Sequence, residues 1–315
     1  MRFVKPKFWD IKKVTVKSLA LLPFTTLLYF NNFLLNKKIK YKTNKIISIC
    51  VGNIYLGGTG KTPITIELYK IFMKLKKKVV TAKKYYPSQI DEIELLKKKT
   101  KLLTNINRTQ IIKDAIKKQN EIIIFDDGLQ DRGLDYSLKF ACFDSSSWVG
   151  NGFLLPAGPL REPLDSIKKY DCIFLKNIKG IDQKIIAKIK SINQKIKIFN
   201  YKFSITNIKK FNLKEKYILF SGIGAPENLE NLVNNNKLKI IEHLVYPDHY
   251  NYSNDDISKI LNVAKKYKSK VITTEKDYIK IPKIYKNKIT PLLLDIKFQN
   301  KKMLINFLKY KINNQ

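Results

Sequence analysis

Residues 46–62 read Ile-Ile-Ser-Ile-Cys-Val-Gly-Asn-Ile-Tyr-Leu-Gly-Gly-Thr-Gly-Lys-Thr, and no other stretch restricts the possible folds as narrowly. The apolar, β-branched start predicts a buried strand. A glycine-rich turn follows, and Pro63 opens a helical pattern through Lys74. Gly57, Gly58, Thr59 and Gly60 allow a turn tight enough for successive backbone N–H groups to face a chain of phosphates. The helix beginning near Lys61 adds the positive end of its dipole, and Pro63 fits a first turn that needs no N–H. In such a loop Lys61 reaches the β- and γ-phosphates and Thr62 offers its hydroxyl to Mg²⁺. The usual spacing has a glycine at position 55, where this chain has Tyr55.

The chain has 315 residues, enough for two domains with a sizeable core, and its 44% hydrophobic content rules out wholesale disorder. Sixty-one basic residues against 26 acidic ones leave a net charge of +35. Such a balance suits an anionic partner. The lysines are spread along the whole chain, however, and no module of aromatics and arginines for reading bases stands out. Compositional drift explains most of the charge, and no nucleic acid is expected as a partner. Cys50, Cys142 and Cys172 lie in separate apolar runs, as reduced, buried thiols of a cytoplasmic setting do. His243 and His249 are the only histidines, and no Cys/His cluster has zinc spacing, so any metal is expected to be oxygen-ligated Mg²⁺.

Ahead of the loop, a basic segment precedes the uncharged run 18–35, and Asn-Lys-Lys-Ile-Lys follows at 36–40. The run is about as long as a minimal membrane span, although Pro23 and Asn31-Asn32 weaken it. A secretory signal and a soluble core helix are the other readings. The run is not at the extreme N-terminus and no small-residue cleavage site follows it. The preferred expectation is a helix lying in or dipping into a bilayer, flanked by lysines.

From 41 to about 200, strand patterns (46–51, 78–82, 121–125, 138–143, 171–176) alternate with helical ones (63–77, 109–119, 183–192), which predicts a parallel sheet covered on both faces. Glu121 to Phe125 is an apolar strand ending in Asp126 and Asp127. Opposite a phosphate loop such carboxylates hold Mg²⁺, and Gln130 lies one turn onward. Asp91 and Glu92 by themselves read as ordinary acids opening a helix. Residues 150–164 form a loop rich in glycine and proline. It is either built for packing or serves as a wall with Arg161 and Glu162 facing a ligand. Residues 193–216 read as a linker. Beyond it come a strand from Tyr217, a turn holding Asp248 and His249, a helix capped at Ser253 or Asn254, a strand from Lys270 ending in Thr-Thr-Glu-Lys-Asp, and a basic amphipathic helix over 300–315. A histidine alone in a turn is more often structural than catalytic.

In this order, Val51-Gly-Asn, Gly57 to Pro63, Asp126-Asp-Gly-Leu-Gln130, Asn151 to Pro163, Ser221-Gly-Ile-Gly with Pro226, Pro247-Asp-His249 and Thr273 to Asp277 together resemble the tetraacyldisaccharide 4′-kinase (lipid A 4′-kinase) family. The resemblance implies an enzyme that uses ATP and Mg²⁺ to phosphorylate the 4′-hydroxyl of a tetraacylated glucosamine disaccharide 1-phosphate. The reaction would take place at the cytoplasmic face of the bacterial inner membrane, with the membrane surface and the acylated lipid as partners and no obligate protein partner. It implies that Gly57, Gly58, Thr59, Gly60, Lys61 and Thr62 hold the nucleotide. Thr62, Asp126, Gln130 and Glu92 would form the metal side. Asp91 paired with His249 would be the base, with Lys61 and Asp127 also catalytic, and Arg161, Glu162 and Asn151 would face the substrate. The histidine would come from the C-terminal domain, so closure of two lobes would assemble the site. The sequence departs from the family in Ala82-Lys-Lys-Tyr-Tyr86, in Ile90 and Ile93 around Asp-Glu, and in Asp131.

The expected fold is an α/β P-loop NTPase-like parallel sheet sandwiched by helices over 38–205, a smaller α/β C-terminal domain over 206–315, and an N-terminal membrane-associating helical segment over 1–37. The alternative is a membrane-associated P-loop ATPase of the partition type, but that loop's signature lysine is here Leu56. A GTPase is disfavoured because Thr274-Glu-Lys-Asp277 puts Lys directly beside Asp. A nucleic-acid-binding ATPase has only the charge in its favour.

Overall fold

The computed structural model describes residues 5–35, 41–131, 133–177, 180 and 182–315. The lysine-rich stretch 36–40, and with it the expected boundary at 37/38, lies outside the described residues. The chain folds into two units, one of Met1–Lys84, Thr100–Lys202 and Phe298–Gln315, the other of Tyr85–Lys99 and Phe203–Lys297.

In the first unit, helix α1 (Val16–Leu35) precedes β1 (Ile47–Gly52), α2 (Lys61–Lys74) and β2 (Val79–Lys84). After α3 (Ile90–Lys99), which belongs to the other unit, come β3 (Leu102–Asn105), α4 (Arg108–Lys117), β4 (Ile122–Asp126), β5 (Leu138–Asp144), β6 (Cys172–Lys176), α5 (Gln183–Ile192) and β7 (Lys197–Ile205). The second unit continues with β8 (Lys216–Ser221), α6 (Pro226–Asn235), β9 (Lys239–Val245), α7 (Asn254–Lys266), β10 (Lys270–Thr274), α8 (Glu275–Ile279) and β11 (Ile289–Leu292). The strand β12 (Leu294–Phe298) and helix α9 (Lys301–Asn313) complete the chain.

The described strands form an eight-stranded sheet ordered β12-β7-β6-β5-β1-β4-β2-β3 and a four-stranded sheet ordered β11-β10-β8-β9. The pairings from β3 across to β7, and all three in the smaller sheet, are parallel. Strands buried on both faces read as unbroken apolar runs, and Ile122, Ile123, Ile124 and Phe125 of β4 are fully enclosed. One cluster packs around Ile173, Leu175 and Ile189, and a second around Val80, Ile111 and Phe125. In the second unit the cores gather around Leu219 and Ile272 and around Phe220 and Ile260. The three cysteines are free and buried, and burial pushes all three thiols up, away from reactivity.

The grouping departs from the linear division in two respects. Residues 85–99 belong with the C-terminal unit, where Glu275 pairs with Lys98 and Lys99 of α3. Helix α9 returns to the first unit, and Phe307 stacks 5.3 Å from Phe199. Apolar faces and charges find partners by complementarity, not by chain order. The stretch 193–216 is also not the expected linker: β7 occupies nine residues of it. Its buried Phe199, Tyr201 and Ile205 alternate with more open residues along a strand, beneath an Asn/Lys composition that looks like loop.

Among the described residues no helix is long and apolar enough to cross a membrane. Helix α1 is inverted in polarity: Val16, Leu19, Phe24 and Leu27 are exposed, whereas Ser18 and Thr25 are buried. The Ser18 hydroxyl accepts from Asn151, and Thr25 donates to the Leu154 carbonyl at 3.3 Å, so the polar stripe of the helix is taken up by the 150–158 loop.

Candidate active site

Strand β1 delivers the chain to the glycine-rich loop, where Gly57 (φ 148°) and Gly60 (φ 85°) adopt backbone angles that a side chain would strain. Gly60 stands as N-cap of α2, so the loop opens directly onto a helix N-terminus. Asn53 organises the turn from within. Its buried amide donates to the carbonyls of Tyr55 and Gly57 and to the Thr59 hydroxyl, while its Oδ1 accepts from Lys61 at 3.3 Å. The Tyr201 hydroxyl donates to the Thr59 carbonyl, tying β7 to the loop. Tyr55, standing where the usual motif has glycine, is buried, and its hydroxyl donates to Asp10 and accepts from Lys5. The missing glycine is thus replaced by a side chain anchored to the N-terminal segment.

Parallel pairing puts Asp126 opposite Val51, beside the mouth of the loop. Its carboxylate accepts from the Thr62 hydroxyl at 2.9 Å, from Thr65 at 3.4 Å and from Lys83 at 2.9 Å. Asp127 turns the chain in a left-handed conformation (φ 63°) and sends its side chain to Lys61 at 3.3 Å and Arg161 at 3.4 Å. Arg108 braces this turn, donating to the Asp127 carbonyl and to Asp131, both at 2.6 Å. Asp131, a departure from the family's pattern, therefore serves as the partner of an arginine.

Thr62 and Asp126 offer hard oxygen donors of the kind Mg²⁺ takes. Among the described residues no group of three or more His, Cys, Asp or Glu could hold a metal by itself. Gln130 donates to the Asn53 carbonyl and to Glu162 at 2.8 Å, and its side-chain oxygen faces Arg161 at 3.3 Å. Arg161, Glu162, Gln130 and Asp127 are therefore linked around the phosphate loop. Asn151, expected on the substrate side, spends its carboxamide on packing: it donates to Ser18 of α1 and to the Ala157 carbonyl and accepts from the Phe153 amide. A Cβ at Gly158 would collide with that carboxamide and with the Phe153 carbonyl. Gly158→Ala is expected to cost roughly 1–3 kcal/mol of stability by thermal melting. An unchanged melting temperature would show that the loop is not packed this way.

The second unit carries its own polar group. His249, in a left-handed turn (φ 58°), places Nδ1 2.8 Å from Asp91 at the start of α3. Lys276 on α8 lies 3.0 Å from Asp248, 3.6 Å from Glu92 and 3.7 Å from Asp91. Lys280 lies 3.5 Å from Asp91 and 2.9 Å from Asp277, as charge contacts without hydrogen-bond alignment. Burial works against the Asp91 charge, but the His249 hydrogen bond and the two ammonium groups outweigh it and hold the carboxyl below its usual range. Lys276 is raised: burial opposes its charge, and Glu92, Asp248 and Asp91 overcome that. Glu92, expected on the metal side, has its carboxylate beside Lys276 and His249 in this unit, whereas Thr62 and Asp126 belong to the first.

The motif Thr273 to Asp277 resolves into single tasks. Thr273 donates to the Phe220 carbonyl across the sheet, and Thr274 caps α8. Glu275 pairs with the lysines of α3, Lys276 faces the Asp91–His249 group, and Asp277 is fully enclosed with Tyr252 and Thr274. Sequence reasoning left Lys276, Asn53, Lys83 and Arg108 without roles. For Lys276 the signal was present in the motif. Asn53 likewise lay in the Val51-Gly-Asn motif, whereas the partner of Lys83 emerges only from strand register and that of Arg108 only from the packing of α4.

The Tetraacyldisaccharide-1-P 4′-kinase family model matches residues 18–313. The tetraacyldisaccharide 4′-kinase of Pelagibacter ubique (strain HTCC1062) is 42% identical over 318 residues, covering 100% of both chains. That of Rickettsia typhi (strain ATCC VR-144 / Wilmington) is 32% identical, covering 96% of this chain and 97% of the relative. The crystal structure of the "apo" form of LpxK from Aquifex aeolicus in complex with ATP superposes with a TM-score of 0.70 at 23% identity, covering 94% of this chain and 99% of that one, and shares the fold.

Proposed function

Because the chain belongs to the tetraacyldisaccharide 4′-kinase family, we propose that its two polar groups divide one phosphoryl transfer, from ATP to the 4′-hydroxyl of an acylated disaccharide 1-phosphate in lipid A biosynthesis. Gly57 to Thr62 hold the triphosphate through backbone amides and the helix N-terminus, and Lys61 meets the β- and γ-phosphates. Thr62 and Asp126 would hold Mg²⁺, which when bound would neutralise charge on the phosphate oxygens. Arg161 and Lys61, both within 3.4 Å of Asp127, add positive charge beside the phosphates. Gln130, itself held by Glu162, orients Arg161.

The observation that carries the reading is the pairing of His249 Nδ1 with Asp91 at 2.8 Å. A sugar hydroxyl must lose its proton as its oxygen attacks the γ-phosphorus, and a carboxylate oriented by an imidazole can take it. Against its burial, the His249 hydrogen bond and then the Lys276 ammonium keep Asp91 ionised. The exposed apolar face of α1 suits the boundary of a bilayer, where an acylated substrate lies, and supports peripheral association with the cytoplasmic face of the inner membrane. The match of the kinase family model to residues 18–313 disfavours the partition-type ATPase.

The test is transfer of the labelled γ-phosphate of ATP to tetraacylated disaccharide 1-phosphate. Lys61→Ala is expected to slow it by about a hundredfold, the scale of losing one charge-stabilising donor. Full activity in that variant would exclude the phosphate-loop mechanism.

A further inference from the structure

We propose that Lys83 is a built-in counter-ion that keeps Asp126 closed to a divalent ion until a nucleotide arrives, so that metal and triphosphate enter together. The proposal rests on the reading that nucleotide sits on Gly57–Thr62. Lys83 is 2% and Asp126 1% exposed, and their charges meet at 2.9 Å. Oδ2 of Asp126, which accepts from Lys83, is also the oxygen that accepts from the Thr62 hydroxyl, and Oδ1 is taken by Thr65. Both oxygens of the carboxylate are therefore committed within the protein.

The contact is set by the sheet rather than by a loop. Strands β2 and β4 pair in parallel with Ala82 opposite Phe125, so the next residues, Lys83 and Asp126, fall side by side at the strand ends. An enclosed ion pair with one charge of each sign is neutral. A bare divalent ion entering this enclosure would meet the ammonium at close range in a poorly solvated space and would gain only one carboxylate already neutralised. A metal–triphosphate complex carries net negative charge, so the same ammonium attracts it. Lys83 thus turns a metal site into a metal–nucleotide site.

Calorimetric titration and thermal melting of the full chain with MgCl₂ alone, and then with MgCl₂ plus ADP, test this. The wild-type protein is expected to take up Mg²⁺ in the millimolar range only when ADP is present. Lys83→Met is expected to bind Mg²⁺ alone about tenfold more tightly or better than wild type, as removal of a neighbouring unit charge allows. Its melting temperature should rise with Mg²⁺ in the absence of ADP. Lys83→Arg, which keeps the charge, should still exclude bare Mg²⁺. Equal responses of wild type and Lys83→Met to Mg²⁺ alone would overturn the proposal. If Lys83→Met does not fold, the wild-type titration decides. Uptake of bare Mg²⁺ as tight as uptake with ADP sinks the counter-ion role, and its absence supports it. Failure of wild type to bind ADP even with Mg²⁺ would instead sink the nucleotide reading.

Discussion

Asp91→Asn is expected to lower the turnover of phosphoryl transfer by roughly 10²–10⁴-fold, the usual contribution of a positioned general base. The KM for ATP should change little, because the proposed nucleotide site, Gly57–Thr62, does not include α3. The amide keeps the size of the side chain and can still meet His249, so the loss reports the missing base rather than a collapsed turn. The pH profile adds a second reading. His249 and the ammoniums of Lys276 and Lys280 hold the Asp91 carboxyl below its ordinary range despite its burial. Asp91 therefore stays ionised through neutral and mildly acidic pH, and its acid limb in kcat lies below about pH 4, the ordinary Asp value. The sign for stability is the same. A depressed folded pKa stabilises above the unfolded value, and that contribution disappears as pH falls through the lower folded value. Turnover in Asp91→Asn within a few-fold of wild type would remove Asp91 from the chemistry.

Asp277→Ala is expected to destabilise the protein by about 3–5 kcal/mol, as removal of one partner from a buried charge pair does. Asp277 is 0% exposed, and its carboxylate receives the Tyr252 and Thr274 hydroxyls and lies 2.9 Å from Lys280. Alanine would leave the enclosed Lys280 ammonium with the more distant Asp91 carboxylate and would remove the acceptor of the Tyr252 and Thr274 hydroxyls. Because α8 also carries Lys276, the loss should spread to the Asp91–His249 pair and reduce turnover along with stability. Denaturant unfolding measures the first effect. A loss below about 1 kcal/mol, the scale of a surface ion pair, would mean that Asp277 is not the support described here.

The phosphate loop was legible because everything it needs is contiguous: apolar strand, glycines and Lys61-Thr62 follow one another within residues 46–62 and run directly into α2. The carboxylates Asp126 and Asp127 were legible for the same reason, as a strand ending in acids. The pairing of Asp91 with His249 was different. The two are 158 residues apart. Taken alone, one reads as a helix-opening acid and the other as a turn histidine, and only family resemblance joined them. Strand β7 was misread as linker because Asn200, its two lysines and the Asn/Lys-rich flanks hid a period of two. Asn151 was read toward substrate, and the structure shows its carboxamide bonded to Ser18 of α1, the Ala157 carbonyl and the Phe153 amide.

What the chain's sequence determined alone was local: a strand feeding a glycine turn and a helix N-terminus, because backbone angles and hydrogen bonding there depend on neighbouring residues. What only the tertiary structure decided was which distant charges meet. Lys83 reaches Asp126 across 43 residues through parallel register, and residues 85–99 join the unit that holds Lys276 and His249. Electrostatic partners are selected by distance in space, and strand pairing and core packing set that distance after the local elements have formed.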